Sequence, residues 1–101
     1  MLHRLSVTIK SSSENEDTTE LFECMVNSDY IHSIDPSGSA DSKRHFLCIR
    51  MSHQKIIFWY SDLNKMMEYY IKLFVNLNNF DGSLITFEAD SYEVMPLYDN
   101  N

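Results

Sequence analysis

Leu5, Val7 and Ile9 alternate with Ser6, Thr8 and Lys10, the two-residue period of a strand with one buried face, and predict a strand over 2–10. Ser11 to Asp17 is polar and acidic and reads as a solvated loop. Two readings stay open for the next stretch. Asp17-Thr18-Thr19-Glu20 has the form of a capping box, and Leu21, Phe22, Met25 and Val26 follow at helical spacing, which gives a short second helix near 18–28. Phe22, Cys24 and Val26 equally alternate with Glu23 and Met25, which gives a strand, and the run is too short for periodicity to arbitrate. Tyr30, His32 and Ile34 continue as a short strand up to Asp35-Pro36-Ser37-Gly38-Ser39, the clearest cluster of turn formers.

His45–Met51 and Gln54–Tyr60 are β-rich runs separated only by Ser52-His53, the spacing of a hairpin. Ile56 to Tyr60 is apolar without a break, as in a central strand covered on both faces, which places Trp59 at or near the core. The strongest helical pattern follows. Ser61 or Asp62 stands as the N-cap, and Leu63, Met66, Met67, Tyr70, Ile71, Phe74 and Leu77 recur at three- and four-residue steps. Asn78-Asn79 ends this helix, and Asp81-Gly82 supplies a turn. Ile85, Phe87 and Ala89 alternate with Thr86 and Glu88, and Tyr92 to Leu97 reads as a last segment that Pro96 confines to an edge or end. Asp99 to Asn101 reads as a frayed end. The expected fold is α+β: a mainly antiparallel sheet of 4–5 strands packed on one long amphipathic helix at about 61–78.

The 101 residues suffice for one continuous core, so residues 1–101 are read as a single domain. Two cysteines, Cys24 and Cys48, allow at most one disulfide, which favours a reducing compartment and a cytoplasmic location. Residues 1–10 lack the apolar stretch of a signal peptide, and no run approaches the length of a membrane span.

The chemistry in the sequence is sparse. His45 and Cys48 have a spacing seen in some zinc sites, with Cys24 and His32 as conceivable further ligands, but on a strand they point to opposite faces. Both cysteines sit in apolar runs, where the ordinary role is a small core side chain rather than a nucleophile. Gly38 and Gly82 lie in separate turns and form no phosphate loop. The expectation is a protein that is not an enzyme and that uses no cofactor or metal. The apolar stripe of the main helix is expected to face the core, with partner binding preferred only if the sheet fails to cover it.

Charge changes the picture. The chain carries a formal charge of −7, which argues against unaided, nonspecific binding to nucleic acid. The segments differ sharply: residues 11–42 hold −8 with no Lys or Arg, and residues 73–101 hold −5, against +2 for 1–10 and +4 for 43–72. Such a surface either keeps a small domain soluble or presents charge to a basic partner where nucleic acid would present phosphate. The expected partner-binding residues are Glu14, Glu16, Asp17, Glu20 and Glu23, with Asp29, Tyr30 and Asp35 at the margin. In size, acidity and lack of catalytic motifs the chain is similar in type to phage-encoded inhibitors of host defence, anti-CRISPR proteins among them, and to immunity proteins that neutralise nuclease toxins. That likeness of type implies inhibition of a basic, nucleic-acid-handling partner such as a nuclease or a nucleoprotein complex, by a monomer or small homo-oligomer. The alternative is a non-catalytic structural or assembly subunit that forms a homo- or hetero-oligomer through a sheet edge or the helix stripe.

Overall fold

A computed structural model describes residues 1–12, 17–37, 44–78 and 84–97. Among these residues, seven strands and one α-helix follow in the order β1 (Leu2–Ser12), β2 (Asp17–Asn27), a single 3-10 turn (Ser28–Tyr30), β3 (Ile31–Ser37), β4 (His45–Met51), β5 (Gln54–Tyr60), α1 (Leu63–Leu77), β6 (Leu84–Ala89) and β7 (Ser91–Pro96). The strands form two sheets rather than one of 4–5 strands: a three-stranded sheet in the order β2-β1-β6, and a four-stranded sheet in the order β3-β4-β5-β7. All pairings are antiparallel except β1 with β6, which run parallel. The result is a small α+β domain.

Residues 17–27 form a strand, not a helix. All eleven residues of β2 pair with β1, from Leu2 opposite Asn27 to Ser12 opposite Asp17. Thr18 and Thr19 favour extended backbone, and the alternation of Phe22, Cys24 and Val26 toward the core prevails over the helix-like spacing. β3 likewise runs through Asp35, Pro36 and Ser37, which the sequence marks as turn formers. Pro36 is tolerated because β3 is an edge strand, where a missing N–H costs no ladder bond on the open side. The turns expected from Gly38-Ser39 and Asp81-Gly82, the end at Asn79 and the C-terminal residues 99–101 lie outside the described residues.

One core joins both sheets and the helix. β1 contributes Leu5, Val7 and Ile9, β6 contributes Ile85, Phe87 and Ala89, β4 contributes Leu47, Ile49 and Met51, and β5 contributes Ile56, Phe58 and Tyr60. The Phe58 ring stands edge-on to Phe87, with centroids 5.0 Å apart, and edge-on to Phe22 at 6.1 Å. Tyr69 of α1 reaches both sheets, lying 5.9 Å from Tyr60 and 5.9 Å from Phe87. Within β5 the apolar run splits by strand parity. Ile56, Phe58 and Tyr60 enter the core, while Trp59 is half-buried on the opposite face against Phe46 and the Arg44 guanidinium.

The helix starts at Asp62, whose Oδ1 accepts from the backbone N–H groups of Asn64 (2.9 Å) and Lys65 (3.4 Å). Its buried residues are Met66, Leu73 and Leu77, with Leu63, Tyr69 and Tyr70 packed partly against the core. Met67, Ile71 and Phe74, expected to face inward, are exposed, as is Val75. The helix has fifteen residues, shorter than the expected 61–78, and its polar side chains occupy only a narrow strip. Apolar on most of its circumference, it buries one arc and leaves another uncovered. No described helix is long and apolar enough to cross a membrane.

Candidate interaction surfaces

The β1–β2 hairpin positions the first acidic group. Asp17 stands opposite Ser12 and Glu20 opposite Ile9, and both carboxylates are exposed. Neither has an ion-pair partner among the described residues. Strand alternation sends Asp17 to the solvent face and Glu20 to the side of Phe22, where it is exposed opposite the core residue Ile9. Glu14 and Glu16, expected to join them, lie outside the described residues.

The other expected residues are spread apart. Glu23 is on β2, but its Oε1 accepts from the Arg4 guanidinium at 3.0 Å and from Ser6 Oγ at 3.4 Å, so its charge is compensated. Asp29 pairs with the N-terminal ammonium at 3.0 Å. Asp29 and Tyr30 follow the far end of β2, about 24 Å from Glu20 at the rise of an extended strand. Asp35 lies in the other sheet, opposite Cys48, and accepts from Ser33 Oγ at 2.7 Å. Of the expected residues, Asp17 and Glu20 therefore share the hairpin end of β2, one on each face, while Asp29, Tyr30 and Asp35 belong to other surfaces.

The apolar surfaces leave no mark in the charge pattern of the sequence. On α1, Ile71 (57% exposed) and Val75 (60%) stand four residues apart, flanked by Met67 and Phe74. Beside this arc, a groove of about 200 Å³ runs between the C-terminal half of α1 and β3, lined by Ile31, Ile34, Phe74 and Leu77. The solvent face of the three-stranded sheet also holds exposed apolar side chains, with Met25 and Leu84 on either side of Arg4.

The candidates for chemistry sit as follows. Burial pushes the Cys24 thiol up to about 11 and also raises Cys48, where nearby Lys55 and Arg50 act in the opposite direction. His45 is on the core side of β4 and Cys48 on the other face, and among the described residues no three His, Cys, Asp or Glu side chains are grouped to hold a metal. A cleft of about 180 Å³ at the start of α1 is lined by Lys10, Tyr60, Lys65, Tyr69, Glu88 and Asp90. Its charges are largely internal, since Lys10 Nζ donates to Glu88 Oε1 at 2.8 Å, a contact that raises the lysine pKa and lowers that of the glutamate. The Tyr60 hydroxyl is sealed from solvent and has no hydrogen-bond partner among the described residues, so the cleft cannot reach it without rearrangement.

No protein-family model matches the chain, and neither a curated protein nor a solved structure shows significant similarity to it.

Proposed function

We propose that the chain is a small acidic interaction protein, cytoplasmic and not an enzyme, that binds and inhibits a basic, nucleic-acid-handling macromolecule. Its type is that of a phage anti-defence inhibitor, such as an anti-CRISPR protein, or of a toxin-immunity protein. The observation that carries this reading is the uncompensated acidic end of the β1–β2 hairpin, where Asp17 and Glu20 are exposed without ion pairs among the described residues. Carboxylates held on a paired strand are partly preorganised for lysine and arginine, which favours fast, salt-sensitive association. The raised thiols of Cys24 and Cys48 count against nucleophilic catalysis by either residue.

The test is affinity capture from lysate with wild-type protein and with the Asp17→Lys, Glu20→Lys double variant. The expected result is one basic nucleic-acid-handling protein, retained by wild type at low salt, weakened at high salt and lost by the variant. Equal recovery by both proteins would leave these carboxylates with a solubilising role only.

A second reading, an assembly subunit, is favoured by the uncovered arc of Met67, Ile71, Phe74 and Val75. Its occupant is a second copy of the chain. It predicts a stable homo-oligomer by light scattering, dispersed by Ile71→Ser with Val75→Ser.

A further inference from the structure

The two described sheets have four edges, and three of them carry an obstacle to further pairing. β6 is flanked by α1, with the Lys72 ammonium donating to the Thr86 carbonyl. β3 carries Pro36 and a register shift between Ile31 and Ser33. β7 has six residues, ends on Pro96 and lies against β1. Short length, proline, bulges and covering elements are the ordinary means by which a sheet avoids pairing with foreign strands.

β2 has none of these and is guarded by charge instead, through Asp17, Glu20 and Glu23, which opposes acidic strands but not basic ones. Its register with β1 is unbroken over eleven pairs, it contains no proline or glycine, and no described strand pairs with its other side. In such a strand about half of the residues direct both N–H and C=O away from the neighbour. Beside that row stand exposed Leu21 and Met25, four residues apart on the solvent face, and exposed Asp17 and Glu20 toward the hairpin end.

The geometry points to β2 as a docking edge for an extended, basic segment of a partner protein, which adds to the three-stranded sheet as a fourth strand. This rests on the reading that the chain binds a basic partner, and it supplies the mode of binding. The backbone row provides affinity independent of sequence, and the flanking side chains select the occupant. Cross-strand positions beside Asp17 and Glu20 take lysine or arginine, and those beside Leu21 and Met25 take apolar side chains. A second copy of the chain is disfavoured on this edge by the mutual repulsion of two bodies of charge −7.

The experiment titrates the full-length, isotopically labelled protein with a peptide of seven valines followed by four lysines, which in antiparallel pairing sets valine opposite 21–27 and lysine opposite 17–20, and follows backbone amide shifts and hydrogen exchange. Two control peptides are used: the same sequence N-methylated at every second residue, and one with glutamate in place of lysine. The expected result is perturbation centred on 17–27, exchange slowed at least about fivefold at alternate β2 amides, and no comparable effect from either control. Binding that survives N-methylation would reduce the contact to side-chain charge and overturn the strand-addition mode. Equal binding of the glutamate peptide, perturbation centred on other elements, or no perturbation at about 1 mM peptide would also overturn it. Asp17→Lys with Glu20→Lys separates the two levels, since its fold is checked by its own amide spectrum. If cellular capture depends on these carboxylates but β2 amides do not respond to the basic peptide, the partner reading stands and the edge proposal falls.

Discussion

Cys24 points toward the core side of β2 between Phe22 and Val26, and burial there disfavours its thiolate. A rise from the ordinary 9.0 to about 11 lowers the reactive fraction about 100-fold near neutral pH. Iodoacetamide labelling of folded protein near neutral pH is therefore expected to be about 100-fold slower at Cys24 than for an exposed thiol, and to rise about tenfold per pH unit until close to pH 11. The sign for stability follows from the same shift. The folded state holds the proton more tightly than the unfolded chain, so this contribution is complete below pH 9 and is lost as pH rises through 11. Labelling at the rate of a free thiol would show an accessible thiolate and revive the nucleophile reading. The sequence carries a hint of this environment, because Cys24 lies in an apolar run, and strand parity with Leu5, Val7 and Ile9 places His3 on the buried face as well. That imidazole is fully buried, with neither ring nitrogen hydrogen-bonded among the described residues.

At the level of elements, β1 and β6 are legible because their apolar and polar positions alternate and only one set meets the core. β4 and β5 are legible because two β-rich runs stand a hairpin's distance apart. β2 is harder to read for a physical reason. Leu21 and Met25 lie on its solvent face and Phe22 and Val26 on its core side, so apolar residues at 21, 22, 25 and 26 imitate a helical period. The helix presents the converse problem. Its apolar residues surround most of the axis, and nothing local distinguishes the arc of Met66, Leu73 and Leu77 from that of Met67, Ile71 and Val75. Truncation separates the two arcs. Leu73→Ala removes a fully buried side chain and is expected to cost about 2–5 kcal/mol, whereas Ile71→Ser is expected to change stability by less than about 1 kcal/mol. Urea midpoints with unchanged slopes measure both. A comparable loss for Ile71→Ser would mean that this arc is covered in solution.

For the whole molecule, the decisive facts are long-range. The parallel pairing of β1 with β6, which completes the three-stranded sheet, joins residues about eighty positions apart and has no local signature. The candidate site has the same character: acidic density is plain from the sequence, but Arg4 compensates Glu23 and the N-terminus compensates Asp29 only once the chain has folded. What remains is an uncompensated hairpin end and an uncovered helix arc, and these two surfaces respond to salt with opposite signs. Attraction between Asp17, Glu20 and a basic partner is screened as ionic strength rises, because the Debye length falls from about 30 Å at 0.01 M to about 3 Å at 1 M. Contact between copies through Met67, Ile71, Phe74 and Val75 is apolar, and salt removes the mutual repulsion of two chains of charge −7 that opposes it. Light scattering across that range, run beside partner capture, is therefore expected to give a constant monomer mass while capture weakens if the hairpin is the working surface. A mass that rises with salt and returns to the monomer on Ile71→Ser with Val75→Ser would assign the function to the helix.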